Sequence, residues 1–212
     1  MNQFDALIDR LAEDVTPVRA QSTRLGRATL AAIAAVTLAA VYLLLGFRDE
    51  LMRGSIEPML GVTIGLLAIL AVAAGSSAVR MARPQVGAPG SGAPWALAAL
   101  LVLPAIALAG IVAQPGLSAG LALGTGLRCL AVGILAALGS LAFLTTWLRR
   151  GAPVAPERAS WLAGLASGAI GALAVTLECP EDGFAHLGVW HIVIPLAAGG
   201  ATRLLLPRFL RW

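Results

Sequence analysis

The sequence is poor in charge: only 12% of its 212 residues are Asp, Glu, Lys or Arg, and lysine is absent. Hydrophobic residues make up 58% of the chain, and its mean hydropathy is +0.86. Soluble globular domains carry about 25% charged residues, so this composition excludes that class. The chain is predicted to be a membrane protein.

Long uncharged stretches give the fold class. A hydrocarbon core of about 30 Å needs roughly 20 apolar residues per helix. Six stretches qualify, at residues 27–46, 59–79, 95–113, 127–148, 161–177 and 188–206. We expect an all-α polytopic fold, in which residues 27–212 form a bundle of six transmembrane helices with short connections and residues 1–26 form a tail.

The basic residues, all fifteen of them arginine, are distributed unevenly. Twelve lie in the tail, the second and fourth connections and the C-terminus, which leaves Arg48, Arg53 and Arg128 for the opposite side. The positive-inside rule then places both termini in the cytoplasm of a bacterial inner membrane. Topology accounts for the pI of about 10.4, so direct nucleic-acid binding is not expected.

Ionisable residues are almost missing from the predicted spans. Transport of ions or protons usually leaves such residues buried in the bundle, so a small metal or ion transporter is the weaker alternative. A thiol-redox membrane enzyme usually needs a second cysteine pair, and the chain has only two cysteines. No catalytic residues are predicted, and the protein is not expected to be an enzyme.

Small residues recur at helical spacing, at Gly61 and Gly65 in the second span and at Gly164, Gly168 and Gly171 in the fifth. Such faces let helix backbones approach closely in lipid. The favoured interpretation is packing between helices of one chain. The alternative is the seam of a homodimer.

The tail carries an apolar stripe at three- and four-residue spacing, which predicts an amphipathic helix of about thirteen residues. The stripe consists of Phe4, Leu7, Ile8, Leu11 and Val15. A helix this short is marginal alone in water, so we expect it to have a partner.

Acidic residues, among them Asp5, Asp9 and Asp14, dominate the rest of this helix. A helix lying on anionic lipid would carry basic residues instead. The predicted partner is therefore an apolar groove on a basic cytoplasmic protein. The alternative is that the helix caps the protein's own bundle.

The two cysteines are predicted to share the outer face. Cys129 begins the fourth span and Cys179 follows the fifth, so one helical hairpin joins them and they are able to meet. On the periplasmic side of a bacterium thiols are oxidised. A disulfide there would close a long loop, which stabilises by about 4 kcal/mol in the chain-entropy model.

Polar residues gather around Cys179: Glu178, Glu181, Asp182, His186 and His191. Thiolate together with imidazole suits soft or borderline metals, and Arg128 beside Cys129 would stabilise a thiolate. His191 is interpreted as a satisfied interfacial residue, whereas the other four are candidate ligands. A redox or metal sensor, a structural disulfide and two unrelated thiols all remain open.

The segments FDALIDRLAEDVTPVR, LRCL, WLRRGAP and ECPED resemble, in this order, the NrsF family of bacterial anti-sigma factors. The resemblance covers essentially the whole chain. It implies a six-span inner-membrane protein whose residues 4–17 hold a sigma factor of the extracytoplasmic-function class. It also implies that Cys129 and Cys179 are the periplasmic pair that perceives stress, although Glu178 stands where the family often has histidine.

The expected mechanism is a sequestration switch. Oxidation of the cysteine pair, or transient binding of a heavy-metal ion there, would shift the fourth and fifth spans along the Gly164 and Gly168 face. The tail would then release the sigma factor. No resident cofactor is expected.

Overall fold

The computed structural model describes residues 3–13, 21–84, 93–113, 123–181, 183 and 185–210. These residues form helices, turns and short connections, with no strand among them, so the all-α prediction is confirmed for this part of the chain. The elements in chain order are α1 Gln3–Glu13, α2 Thr23–Leu45, α3 Asp49–Arg53, α4 Pro58–Met81, α5 Ala93–Ala113, α6 Leu123–Arg149, α7 Pro156–Glu178, a π-helical turn His186–Trp190, α8 His191–Leu205 and α9 Pro207–Leu210.

Five helices of the described chain are long and apolar enough to cross a membrane. They are α2, α4, α6, α7 and the continuous helix His186–Leu205, which joins the π turn to α8. The third predicted span corresponds to α5, whose apolar part Pro94–Gly110 is shorter. Its crossing of the membrane, and the orientation of the termini, remain predictions.

Local sequence explains where several helices begin and end. Pro58 and Pro156 occupy the first turns of α4 and α7, where a missing N–H costs nothing. The Ser22 side chain caps α2 by accepting from the Leu25 N–H, and α2 accordingly starts at Thr23 rather than at residue 27. Gly54 ends α3 with φ 73°, a left-handed conformation that favours glycine.

The centre of the bundle is α7. In its most apolar window 83% of residues are buried, against 11% in α2. It packs mainly against α8, α4 and α6. Because α7 is surrounded by other helices, its side chains have to be small.

The α7 glycines allow this close packing within one chain. A Cβ at Gly164 or Gly168 would overlap Thr202 or Pro195 of α8. A Cβ at Gly171 would instead overlap a backbone carbonyl of α6. Gly164 and Gly168 face the sixth span and Gly171 faces the fourth, so the first two glycines do not form the contact between the fourth and fifth spans.

Gly61 and Gly65 of α4 are exposed and no side chain packs closely on them. A homodimer through this or another face remains a prediction.

We call the two ends of the bundle the cysteine end, where Cys129 and Cys179 lie, and the tail end, where α2 begins after the tail. At the tail end Arg83 donates to the Gln21 carbonyl at 2.8 Å, and the Gln21 side chain donates to the Trp147 carbonyl at 3.3 Å. The indole N–H of Trp147 in turn donates to the Val79 carbonyl at 3.1 Å. These contacts fix the start of α2 to α4 and α6.

At the cysteine end, the corner after α2 contacts the last turn of α7. The Arg48 N–H donates to the Leu177 carbonyl at 3.1 Å, and the Arg48 side chain is only 4% exposed. The rings of Tyr42 and Phe47 pack across the same corner with their centroids 4.5 Å apart. The corner therefore holds the end of α2 beside Cys179.

Candidate functional site

The structure brings the two cysteines together. Cys129 lies near the start of α6 and Cys179 is the residue that ends α7, with the two Sγ atoms 3.3 Å apart. Both are free thiols and both are almost fully buried. A covalent disulfide would hold the sulfurs about 2.05 Å apart, so the pair is in contact but unbonded.

Two imidazoles complete the site. The Nε2 atom of His186 lies 3.5 Å from the Cys129 Sγ and 3.4 Å from the Cys179 Sγ. His191 is also buried, and its ring centroid lies 5.4 Å from that of His186. One donor atom from each of Cys129, Cys179, His186 and His191 falls within 4.8 Å of the others, and we call this set the four-donor cluster.

The π-helical turn explains why the two histidines face the same way. On an α-helix, residues five positions apart point in clearly different directions. A π-helical turn is wider, with hydrogen bonds between residues i and i+5, and brings such residues closer to one face. His186 opens the π turn and His191 follows it, and the two rings meet edge to face at an interplanar angle of 72°. Because of this turn, the two histidines of HLGVWH are neighbouring donors although they are five residues apart.

Thr176 orients the His191 ring. Its hydroxyl donates to the Ala172 carbonyl at 2.7 Å, and its oxygen lies 2.7 Å from the His191 Nδ1. Since the hydroxyl hydrogen is already used, Nδ1 carries the proton and donates to Thr176. The His191 Nε2 is then left with a free lone pair, and no described residue offers it a hydrogen bond.

The neighbours of Cys179 favour its ionised form. A hydrogen bond from the Cys129 thiol lowers the pKa of Cys179, and a hydrogen bond with His186 lowers it further, while burial acts in the opposite direction.

Two of the three predicted carboxylate ligands, Glu178 and Glu181, lie outside the four-donor cluster. Glu178 forms an ion pair with Arg128, and the pair joins the residues that directly precede the two cysteines. Glu181 is exposed, and Asp182 lies outside the described residues. The structure places His186 against the sulfurs, and His191, which sequence reasoning assigned to the interface, lies in the same cluster.

The tail helix α1 presents its apolar stripe to solvent. Phe4 is 71% exposed and Leu7, Ile8 and Leu11 are 53–62% exposed. Every described side chain from Phe4 to Glu13 is exposed, Asp5 and Asp9 included, so capping of the bundle by this helix finds no support. Asp14 and Val15, also predicted to bind the partner, lie outside the described residues.

Comparison with known proteins points to one family. The family described as NrsF, negative regulator of sigma F, matches residues 11–212. The chain is 31% identical over 173 residues to a probable anti-sigma-F factor NrsF of Azospira oryzae, which covers 80% of each protein. No solved structure matches the chain.

Proposed function

The chain belongs to the NrsF family of negative regulators of sigma F, and from this membership we propose that it is a membrane-bound anti-sigma factor. Its partner would be a sigma factor of the extracytoplasmic-function class, held inactive at the inner membrane. This role is regulatory and needs no catalytic residue.

The exposed apolar stripe of α1 is the observation that carries the proposal. The stripe is exposed, yet a short helix gains stability only by burying such a face. Docking into a groove is the usual way for an amphipathic helix to bind a protein partner. The family match begins at residue 11, so the binding role of Phe4, Leu7 and Ile8 depends on the helix itself.

Charge supports the same partner. Asp5, Asp9 and Glu13 make the face of α1 opposite the stripe negative, and Asp14 follows them in the sequence. The surface of a sigma factor that meets DNA is expected to be basic, because it approaches phosphate groups. The acidic residues would meet that surface and block it while the stripe fills a groove.

The signal is proposed to arrive at the opposite end of the bundle. The four-donor cluster holds the only cysteines in the chain, next to the end of α7. Oxidation of the thiols or binding of a metal ion would change the contacts between α6, α7 and the π turn. The proposed result is loss of affinity between the tail and the sigma factor.

The test is capture of the sigma factor from membranes, read together with a reporter of its target promoter. Replacing Leu7 and Leu11 with Glu puts two charges in the stripe, and we expect capture to be abolished and transcription to rise without stress. Membrane insertion should be unchanged.

The matched control changes the net charge equally on the opposite face of α1, with Ala6→Glu and Arg10→Gln. This variant should still capture the sigma factor. Equal capture by both variants would contradict docking through the stripe.

A further inference from the structure

We propose that the four-donor cluster is a binding site for a thiophilic closed-shell cation such as Zn²⁺, Cd²⁺ or Cu⁺, with His191 as its fourth ligand. The inference deepens the proposed function, and rests on it only for the link between metal binding and transcription. In this proposal the cation is bound by the two thiols and two imidazoles, and the carboxylates near Cys179 are not ligands.

The distances among Cys129, Cys179 and His186 are close to the edges of a tetrahedron. With bonds of about 2.3 Å to sulfur and about 2.0 Å to nitrogen, tetrahedral ligands lie about 3.8 Å apart for two sulfurs and about 3.5 Å apart for sulfur and nitrogen. The observed separations are 3.3 Å between the sulfurs and 3.5 and 3.4 Å from each sulfur to the His186 Nε2. A cation fits these three donors with shifts of about half an ångström, and the fourth donor lies within 4.8 Å of each of them.

The fourth position belongs to His191. Its Nε2 is buried, carries a lone pair and has no hydrogen-bond partner among the described residues, although Thr176 holds the ring firmly through Nδ1. Histidines that bind metals are oriented in this way, by a hydrogen bond from the nitrogen that does not bind. The Ala172 carbonyl fixes Thr176, so the orientation is set within α7.

The donor set selects the class of cation. Two thiolates and two neutral imidazoles bind Zn²⁺ and other soft or borderline cations, whereas Mg²⁺ and Ca²⁺ prefer oxygen. Binding a divalent cation displaces the two thiol protons, so the net charge of the cluster is unchanged. All four residues are buried at 0–1% exposure, which keeps water out of the coordination sphere.

A disulfide is the competing use of the same sulfurs. It needs only Cys129 and Cys179, and it leaves the orientation of His191 by Thr176 without a purpose. The metal site accounts for all four residues and for the π turn that brings the histidines together.

The composition of the chain makes the site directly measurable. The whole sequence has two cysteines and two histidines, and all four are in the cluster. Any spectroscopic signal of thiolate or imidazole ligands in this protein therefore comes from this site.

The experiment uses the full-length protein, purified in detergent and kept reduced and free of oxygen, with Co²⁺ as the probe. We expect one Co²⁺ per chain, the visible absorption of tetrahedral cobalt with a thiolate charge-transfer band, and release of two protons per ion. Cd²⁺ or Zn²⁺ should displace the cobalt.

The variants separate ligation from folding. Replacing His191 with Gln should abolish the tetrahedral spectrum, and Thr176→Val should weaken binding about 10- to 100-fold because the ring loses its orientation. Thr63→Val is the matched control, since Thr63 is also buried and bonds only to its own helix at the Met59 carbonyl. Glu181→Gln should bind like the parent.

Two results would overturn the site: no uptake of Co²⁺ by the reduced protein, or a cobalt spectrum that His191→Gln leaves unchanged. If His191→Gln fails to fold, the cobalt affinities of Thr176→Val and Thr63→Val still test the site, and equal affinities would contradict it.

The promoter reporter provides a separate readout. Cys129→Ser with Cys179→Ser should keep the promoter repressed at rest and abolish its response to Cd²⁺. If the protein binds metal but captures no sigma factor, the proposed function is wrong and the metal site stands. If capture depends on Leu7 and Leu11 but no metal binds, the metal site is wrong and the proposed function stands.

Discussion

Single residues decide how closely α7 approaches its neighbours, and Gly171 is the clearest case. It meets the Gly133 carbonyl and Ala137 of α6, so that any side chain at this position would have to push the helix backbones apart. Gly65 of α4 has no atom within 4 Å of the place where a Cβ would stand. The two positions form a matched pair of glycines in the interiors of long helices.

Replacing Gly171 with Ala should destabilise the protein by about 1–3 kcal/mol, because the extra methyl overpacks a helix interface. Replacing Gly65 with Ala should instead be neutral or stabilising by up to about 1 kcal/mol, because alanine favours the helix and meets nothing. Denaturation of both variants in detergent measures the difference. Equal stabilities would show that α6 and α7 are not in contact at Gly171.

Some site residues could be predicted from the sequence and others could not. The meeting of Cys129 and Cys179 follows from a single helical hairpin, which returns both cysteines to one end of the bundle. The sequence places His191 about a turn inside the sixth span, which favours a satisfied interfacial residue, and five-residue spacing from His186 would separate the two side chains on an α-helix. The π turn that changes this geometry has no sequence signature that we can identify, and neither does the ion pair that occupies Glu178.

Among the elements, the π turn His186–Trp190 has the most direct effect on the cluster. It adds one residue to a helical turn and so keeps His186 and His191 on one face. An α-helix would achieve the same with a spacing of four residues.

Deleting Val189 should therefore preserve the tetrahedral cobalt spectrum, since the histidines would become neighbours on an ordinary α-helix. Inserting one Ala between Gly188 and Val189 should abolish it, because a spacing of six suits neither helix. Both variants change the chain length by one residue, so only the spacing distinguishes them. Cobalt absorption of the two purified proteins is the measurement, and loss of binding in both would contradict this role of the turn.

For the whole molecule, hydropathy alone predicted the positions of the long helices, because a bilayer imposes a minimum length on each apolar stretch. The sequence did not reveal which helix lies at the centre. Gly164, Gly168 and Gly171 lie on α7 at similar spacing but face two different partners, and only the assembled bundle determines which.

The orientation of the bundle is testable with engineered cysteines. The native cysteines are buried and unsuited to labelling, so both are first replaced with Ser. In intact cells an impermeant maleimide should then label Ser55→Cys, which is exposed at the cysteine end, but not Ala6→Cys in the tail. Labelling of Ala6→Cys before the cells are opened would reverse the predicted topology.

Helix α2 connects the two ends of the molecule. It is about 35 Å long, begins at the Gln21 contacts and ends at the corner where the Arg48 N–H meets the Leu177 carbonyl. Only 11% of its apolar window is buried, so most of α2 faces away from the bundle between these two ends. A single helix is thus held at one end beside Cys179 and at the other end to α4 and α6.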